Sequence, residues 1–456
     1  MNKISEKQEL KSGDIVEELQ KEIMKDIPYT SPYWAEDIAI SLLSTVSSNL
    51  YFETKIGRVK ANVWFMAIAQ SARGYKSPPL NYFLRPIIKQ MEIDSGNFDW
   101  KLSLPSSFSL EGMTEFLVKN SKGIIINDEI SQLFKATQGK GYTVSLMEFL
   151  DKLFDGIVEP RYTRQFKLEE IPDNAYVSLT GATTPMIYHV LDYDSFVSGF
   201  GTRFLYELWE PSKEIIYSND NLFNFENPER SNIYKKYSIP LSKIFSKERI
   251  NAKASDDVKN VFVKYRQEFG DRAQFEESRR NQNLANYIEK SSIYLFKLAP
   301  LFALSRQIDF VINSPKEVTI EISEEDVTRA YQKINRHIDN FQLMLKEWRM
   351  QPIERPVITQ ENKLEAFIEP IRLNGGIMKR PALKSFLKWQ TKDFDNIREE
   401  LEEQGIIHTL SQEELSKLPE DVYLKLGMGD KNGRPPQVYR LLKDINDEFI
   451  KKNMEK

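Results

Sequence analysis

The 456-residue chain contains no cysteine. That removes disulfides, thiolate metal sites and cysteine nucleophiles together. Histidine is nearly as scarce: His189, His337 and His408 lie too far apart for a local histidine metal motif, and each reads as a packing or surface residue. No apolar run is long enough for a bilayer, since the longest, Ile293 to Leu304, is interrupted by Lys297 and Pro300. The opening MNKISEKQELKSGD mixes charges of both signs and has no apolar segment of the secretory kind, so the expectation is a cytoplasmic protein without membrane association. An excess of positive charge is also missing, because 63 Lys and Arg face 67 Asp and Glu for a net charge of −4. Contact with nucleic acid would have to use local patches.

Hydrophobic residues make up 41% of the chain and aromatics 12%, enough to fill the cores of two or three domains. Residues 1–60 read as an N-terminal helical segment, with amphipathic spacing in IVEELQKEIM and a long helix around AEDIAISLLSTVSSNL. From Ala61 the pattern changes to short apolar runs alternating with helical stretches: ANVWFMAIA, PPLNYFLRPIIKQM, SLEGMTEFLVKN, KGIIIND, SLMEFLDKLFD and AYVSLTG. Buried strands separated by helices predict an α/β core with a largely parallel sheet over residues 61–254. Long helical patterns follow over 255–350. A proline-bearing linker is placed at 351–360, and a separate small module occupies 361–456.

The stretch QSARGYKSPP, Gln70 to Pro79, follows the apolar run ANVWFMAIA and approximates the phosphate-loop pattern GxxxxGK[ST], with Lys76 and Ser77 in the last two places. The pattern asks for glycine where this chain has Gln70 and Tyr75, and the chain's own glycine, Gly74, falls one place early. In such a loop backbone N–H groups and a helix N-terminus face the phosphates, the lysine reaches the β and γ oxygens, and the hydroxyl holds Mg²⁺. The competing reading is an ordinary strand-to-helix turn. Downstream, KGIIINDEI carries Ile124 to Ile126 into Asp128 and Glu129, an order in which a buried strand delivers a metal-positioning aspartate and a catalytic base to one sheet edge. AYVSLTGATTP then supplies Thr180, Thr183 and Thr184, hydroxyls suited either to sensing a γ-phosphate or to capping a turn. SFVSGFGTRFLYE presents Arg203 just before an apolar strand, either as a charge-neutralising finger or as a surface or ion-paired arginine.

Taken in order, SPYWAEDIAISLLSTVSSNL, NVWFMAIAQSARGYKSPP, SLEGMTEFLVKNSKGIIINDEISQLF, YVSLTGATTP and SGFGTRFLYE resemble the uncharacterised ATPase domains of primase–helicase proteins from plasmids, phages and integrated elements. More distantly the region is similar to the minichromosome-maintenance branch of the AAA+ ATPases, whose lid ends in a segment like VTIEISEEDVTRAYQKI. The resemblance spans roughly residues 31–348, and its strength lies in motif order. It implies a P-loop NTPase core, AAA+-like, with a helical lid, using ATP and Mg²⁺. Carried over, Gly74, Tyr75, Lys76 and Ser77 become the phosphate loop, Ser77 and Asp128 the metal contacts, and Glu129 the catalytic base. Thr180 becomes the first sensor, Arg203 a finger acting in trans and Lys290 the second sensor. It also implies a ring, a hexamer being the expectation.

In the last module three helices are followed by a strand, a basic glycine-bearing tip and another strand, the layout of a winged helix whose third helix reads DNA. Phosphate contacts are expected at Lys379, Arg380, Lys384, Lys388 and Lys392, and at the wing tip in Lys431 and Arg434. The module is not basic overall, with 17 Lys and Arg against 18 Asp and Glu, and its third helix runs on as REELEEQ. A protein-docking winged helix is the alternative. The combined expectation is an ATP-driven DNA motor, a replicative helicase-like ATPase of a mobile element working on single-stranded or duplex DNA beside a separate primase. The competing expectation is a DNA-binding initiator, partition or regulatory factor with a degenerate, switch-like or inactive ATPase core. A metabolic kinase fits poorly, because no small-substrate site is recognisable.

Overall fold

A computed structural model describes residues 13–55, 57–71, 74–97, 100–133, 142–156, 175–190, 199–209, 230–350, 360–374, 376–387, 391–419, 422, 426 and 437–442. The chain divides into two compact units, Met1–Trp348 and Arg349–Lys456. No helix among the described residues is long and apolar enough to cross a membrane.

The first unit is α/β. Helix α1 (Ile15–Asp26) starts on Asp14, whose side chain accepts from the Glu17 N–H, and α2 (Pro32–Val46) starts on Ser31 with proline in its first turn. α2 is apolar on nearly every face, so it is swallowed by the core and lies across the central sheet. A hairpin, β1 (Leu50–Thr54) and β2 (Gly57–Val59), leads into β3 (Trp64–Ile68), in which all five residues are buried. The helical run α3 then comprises Ser77–Pro79, a π-helical turn at Leu80–Leu84 and Arg85–Asp94. β4 (Ser103–Leu104), α4 (Leu110–Lys119), β5 (Lys122–Asn127), α5 (Tyr142–Asp155), β6 (Tyr176–Thr183), α6 (Ile187–Val190) and β7 (Leu205–Leu208) complete the central layer.

All pairings in this sheet are parallel, in the order β4-β5-β6-β3-β7. The chain leaves β3 for the far edge, fills inward through β5 and β6, and passes β3 again to reach β7. β6 is thereby inserted between β3 and β5, with Ile68 opposite Thr183 and Asn127 opposite Gly181. The runs of isoleucine, valine and leucine that mark these strands are what two covered faces require.

Beyond β7 lie α7 (Arg230–Phe245), β8 (Arg249–Ala254), α8 (Asp256–Ser278), α9 (Gln282–Ser291), α10 (Leu295–Arg306), α11 (Ile308–Asn313), β9 (Glu317–Ile322) and the long α12 (Glu324–Met350). The span 255–350, expected as helical throughout, holds these helices and also the strand β9. A second sheet, ordered β2-β1-β8-β9, was not legible: β1 pairs antiparallel with β2 and parallel with β8, some two hundred residues away. β9 shows strict buried-exposed alternation in EVTIEI.

α12 is held down by charge. Arg329, Lys333, Arg336, His337 and Asn340 form a stripe at helical spacing. Arg329 and Lys333 pair with Glu36 at 2.9 and 2.8 Å, and Lys333 reaches Asp37 at 2.6 Å. Arg336 grips both oxygens of the fully buried Glu207 at 2.8 and 3.1 Å, which also receives Ser31 Oγ and Asn340 Nδ2. Burial pushes the Glu36 carboxyl up, but Lys333 and Arg329 overcome it and bring it down from 4.5 to about 2.

The second unit contains α13 (Gln360–Leu373), β10 (Ile377–Lys379), α14 (Arg380–Leu387), α15 (Thr391–Glu403), β11 (Ile407–Thr409), α16 (Gln412–Ser416) and β12 (Val438–Leu441). The strands pair antiparallel in the order β10-β12-β11 around Phe367, Phe394 and Tyr439. β11, in IHT, was not expected, and most of the strand expected in LPEDVYLKLGMGD lies outside the described residues.

Two outcomes follow. Arg336→Ala leaves Glu207 as an uncompensated buried charge and is expected to cost about 3–5 kcal/mol, read as a fall in the urea midpoint with little change in slope. Glu36, depressed in the folded state, stabilises above pH 4.5 and loses that contribution as pH falls from 4.5 towards 2. Glu36→Gln should therefore narrow its stability deficit relative to wild type across that window.

Candidate functional site

The carboxyl ends of β3, β5 and β6 meet along one sheet edge, the place where open parallel sheets take ligands. After β3 the Ala69 N–H still donates to Thr183 O at 3.2 Å, and the Gly74 N–H closes a turn onto Gln70 O at 3.1 Å. A Cβ on Gly74 would lie 2.6 Å from Ala69 Cβ and 2.8 Å from Gln70 O, so this is the glycine the loop needs. Tyr75 has φ +43°, the left-handed conformation that the phosphate-loop pattern would give to glycine.

Lys76 is 7% exposed and sits at the head of α3. Its carbonyl accepts from Trp34 Nε1 at 2.9 Å, which fastens the loop to α2. Its ammonium has no hydrogen-bond or ion-pair partner among the described residues. Burial pulls its pKa down, and Glu129 opposes that shift. Ser77 is half-buried in the first turn. Pro78 and Pro79 supply no N–H, so lysine and serine carry most of the donor capacity there.

Glu129 is oriented by three contacts. Its N–H donates to Asn127 Oδ1 at 2.9 Å, and its Oε1 accepts from Thr183 Oγ1 at 2.9 Å and Ser131 Oγ at 2.5 Å. Asp128, with a half-exposed side chain, lies 3.8 Å from Arg85, whose guanidinium also donates to Ile126 O. Of the acidic pair, Glu129 is the one engaged at the edge with Thr183. Thr180 is placed elsewhere: it is fully buried and donates to Ser41 Oγ on α2 at 2.7 Å, so Thr183, three residues on, holds the edge position.

Lys290 lies away from this edge, as does Arg203, whose expected role was on a neighbouring subunit's nucleotide. Arg203 precedes β7, so it lies at the amino edge of the sheet, across from the loop. Its guanidinium pairs with Asp151 and Asp155 at 2.9 Å each and donates to Gly199 O, at 18% side-chain exposure. Lys290 Nζ donates to Thr202 Oγ1 next door. Burial raises Asp151 to about 6 despite Arg203. Nearby, Lys297 is buried over the Phe154 ring and donates to Asn62 Oδ1 at 2.6 Å, and burial lowers it to about 7. The two residues expected to act on a γ-phosphate thus share a charge cluster with each other.

Asp37, Glu207 and His337 place ligand atoms within 4.8 Å of one another, all buried. Lys333 and Arg336 already neutralise the two carboxylates, and His337 Nδ1 donates to Tyr206 O. The set is an ionic joint of the fold.

In the second unit Arg380 is bound by Asp395 at 2.8 Å and Gln437 at 2.8 Å, and Lys384 donates to Thr391 Oγ1 at 2.6 Å. Lys379 is half-buried in β10, and the backbone of Lys392 belongs to the first turn of α15. Lys388, Lys431 and Arg434 lie outside the described residues. α15 carries six acidic residues against Lys392 and Arg398, and Arg398 is itself paired with Glu399 and Glu402. The chain matches no protein-family model and no curated protein.

Lys297 gives this region a pH signature. The unfolded chain keeps that proton up to 10.5 while the folded chain releases it above about 7. The residue therefore makes stability climb with pH across that interval, by at most about 1.4 kcal/mol per unit. Lys297→Met should remove the climb, so paired denaturant titrations at pH 7 and pH 10 should show the variant losing ground to wild type at the higher pH.

Proposed function

We propose that the first unit binds and hydrolyses a nucleoside triphosphate, ATP in the leading reading, at the carboxyl edge of its parallel sheet, and that the protein is a DNA-directed motor ATPase. The observation that carries this is Lys76, a residue only 7% exposed whose ammonium has no hydrogen bond or close ion pair among the described residues, at the start of α3 and near Glu129. A buried cation is costly unless something pairs with it. A phosphate group supplies that charge. The insertion of β6 between β3 and β5 supports the reading, because it sets Thr183 between the loop and the acidic strand end.

The residues present also fit Mg²⁺. Ser77 and a carboxylate from Asp128 or Glu129 would hold the ion, which neutralises phosphate charge when bound. The chain's own contribution is positional. Lys76 and the Ser77 N–H orient the phosphates, and Glu129, fixed by Thr183 and Ser131, accepts a hydrogen bond from the attacking water and takes its proton. The water oxygen bonds to the γ-phosphorus as the bond to the β–γ bridging oxygen breaks.

For the second unit, three helices with a three-stranded antiparallel sheet support a winged helix. The acidic α15 and the internal pairing of Arg380 favour a reading in which its third helix docks on protein, leaving DNA contact to other surfaces. The competing function, a DNA-binding initiator or regulatory factor with a switch-like core, draws support from Tyr75 and from the internally paired Arg203.

ATP turnover measured with and without single-stranded and duplex DNA separates these. The motor reading expects DNA to stimulate hydrolysis, with Glu129→Gln lowering it about 10²- to 10⁴-fold and Lys76→Ala abolishing ATP binding. DNA binding without turnover, unchanged by either substitution, overturns it in favour of the regulatory factor.

A further inference from the structure

Tyr75 raises a question the phosphate reading does not answer. A residue with a Cβ is strained in the left-handed region where glycine is not, and the loop has placed a tyrosine there with φ +43°. Backbone outliers of this kind persist where the surroundings enforce them, and they cluster at functional sites. The Tyr75 ring packs on Tyr29 with centroids 5.2 Å apart and planes at 40°. Both rings are half-buried, and Tyr75 packs against the main hydrophobic core.

Tyr29 belongs to the short connection between α1 and α2, which is anchored after the ring to β7 and, through the first turn of α2, to the loop. Ser31 Oγ donates to Glu207, and Trp34 Nε1 donates to the carbonyl of Lys76, the residue next to Tyr75. The Tyr75 ring is thereby carried on the residue next to Lys76, with Tyr29 against it. A π-face at the rim of a phosphate loop matches the one part of a nucleotide that the loop itself does not recognise.

We propose that Tyr29 and Tyr75 form a base-stacking face, so that the site takes a nucleotide carrying an aromatic base in preference to a bare polyphosphate. The proposal rests on the phosphate-binding reading of Lys76. Stacking accepts any base ring and adds about 1–3 kcal/mol per base, which corresponds to roughly 5- to 150-fold in affinity. The αL backbone at Tyr75 is then the means by which a ring, absent from a glycine loop, is carried to the base.

The test is calorimetric titration of the full chain with Mg-ATP and, separately, with Mg-tripolyphosphate, which has the charges and no base. Tyr29→Ala should weaken ATP by roughly 5- to 150-fold and leave tripolyphosphate within about twofold, and Tyr29→Phe should restore ATP binding. Tyr75→Gly removes the ring and relaxes the backbone, so it should weaken ATP while tripolyphosphate binds as well as before or better. If Tyr29→Ala lowers both ligands equally, the pair is a structural prop and the proposal falls. Equal ATP affinity in wild type and Tyr29→Ala also overturns it. If wild type binds neither ligand, the phosphate reading itself has failed, a result distinct from the other two.

Discussion

Buried carboxylates need cations, and in this protein one helix face provides them. Asp37 and Glu207 are fully enclosed, with Glu36 close behind, and none of the three could stay charged in that position alone. α12 answers with Arg329, Lys333 and Arg336 from a single stripe, so its rotation and its axial position against α2 and β7 are set together. A slip of one residue would present the wrong side of the helix to all three acids. The candidate phosphate loop inherits this precision indirectly: α2, pinned from one side by α12, holds the Lys76 carbonyl from the other through Trp34.

Much of the central layer could be read from the chain because parallel strands covered on both faces leave near-continuous apolar runs. WFMAI, GIII and YVSLTGAT are such runs, and the loop lysine and the acidic pair follow two of them directly. The phase within a run is harder to read. Thr180 and Thr183 differ by three residues in one strand, and the odd spacing turns one hydroxyl to α2 and leaves the other at the edge beside Glu129. The second sheet escaped notice for a different reason. RINAKA and LYFET are short and mixed, and what makes them strands is pairing across a very long sequence separation. Arg203 shows the same limit for charges. Asp151 and Asp155 sit one turn apart on α5 in plain view, but their partner lies about fifty residues downstream.

The parallel sheet also separates two electrostatic environments. One edge holds the Lys76 ammonium near a hydroxyl-bound glutamate, and the other holds Arg203 on two aspartates with Lys60, Lys290 and Lys297 engaged by neutral oxygens. The two differ in what they lack. The cluster at the amino edge is engaged internally, whereas the carboxyl edge has a cation with no hydrogen bond or close ion pair among the described residues, only the more distant charge of Glu129. That asymmetry, more than any motif, directs attention to the loop after β3.

The π-helical turn at Leu80–Leu84 closes with the Arg85 N–H donating to Leu80 O, five residues back. In effect α3 has absorbed one extra residue without breaking. Each residue of an α-helix advances the azimuth by about 100°, so everything downstream is turned by that angle relative to a regular helix begun at Ser77. The widened turn thereby works as an angular offset. It lets the proline-rich start of α3 be dictated by the loop while Arg85, further along, is aimed independently at the end of β5.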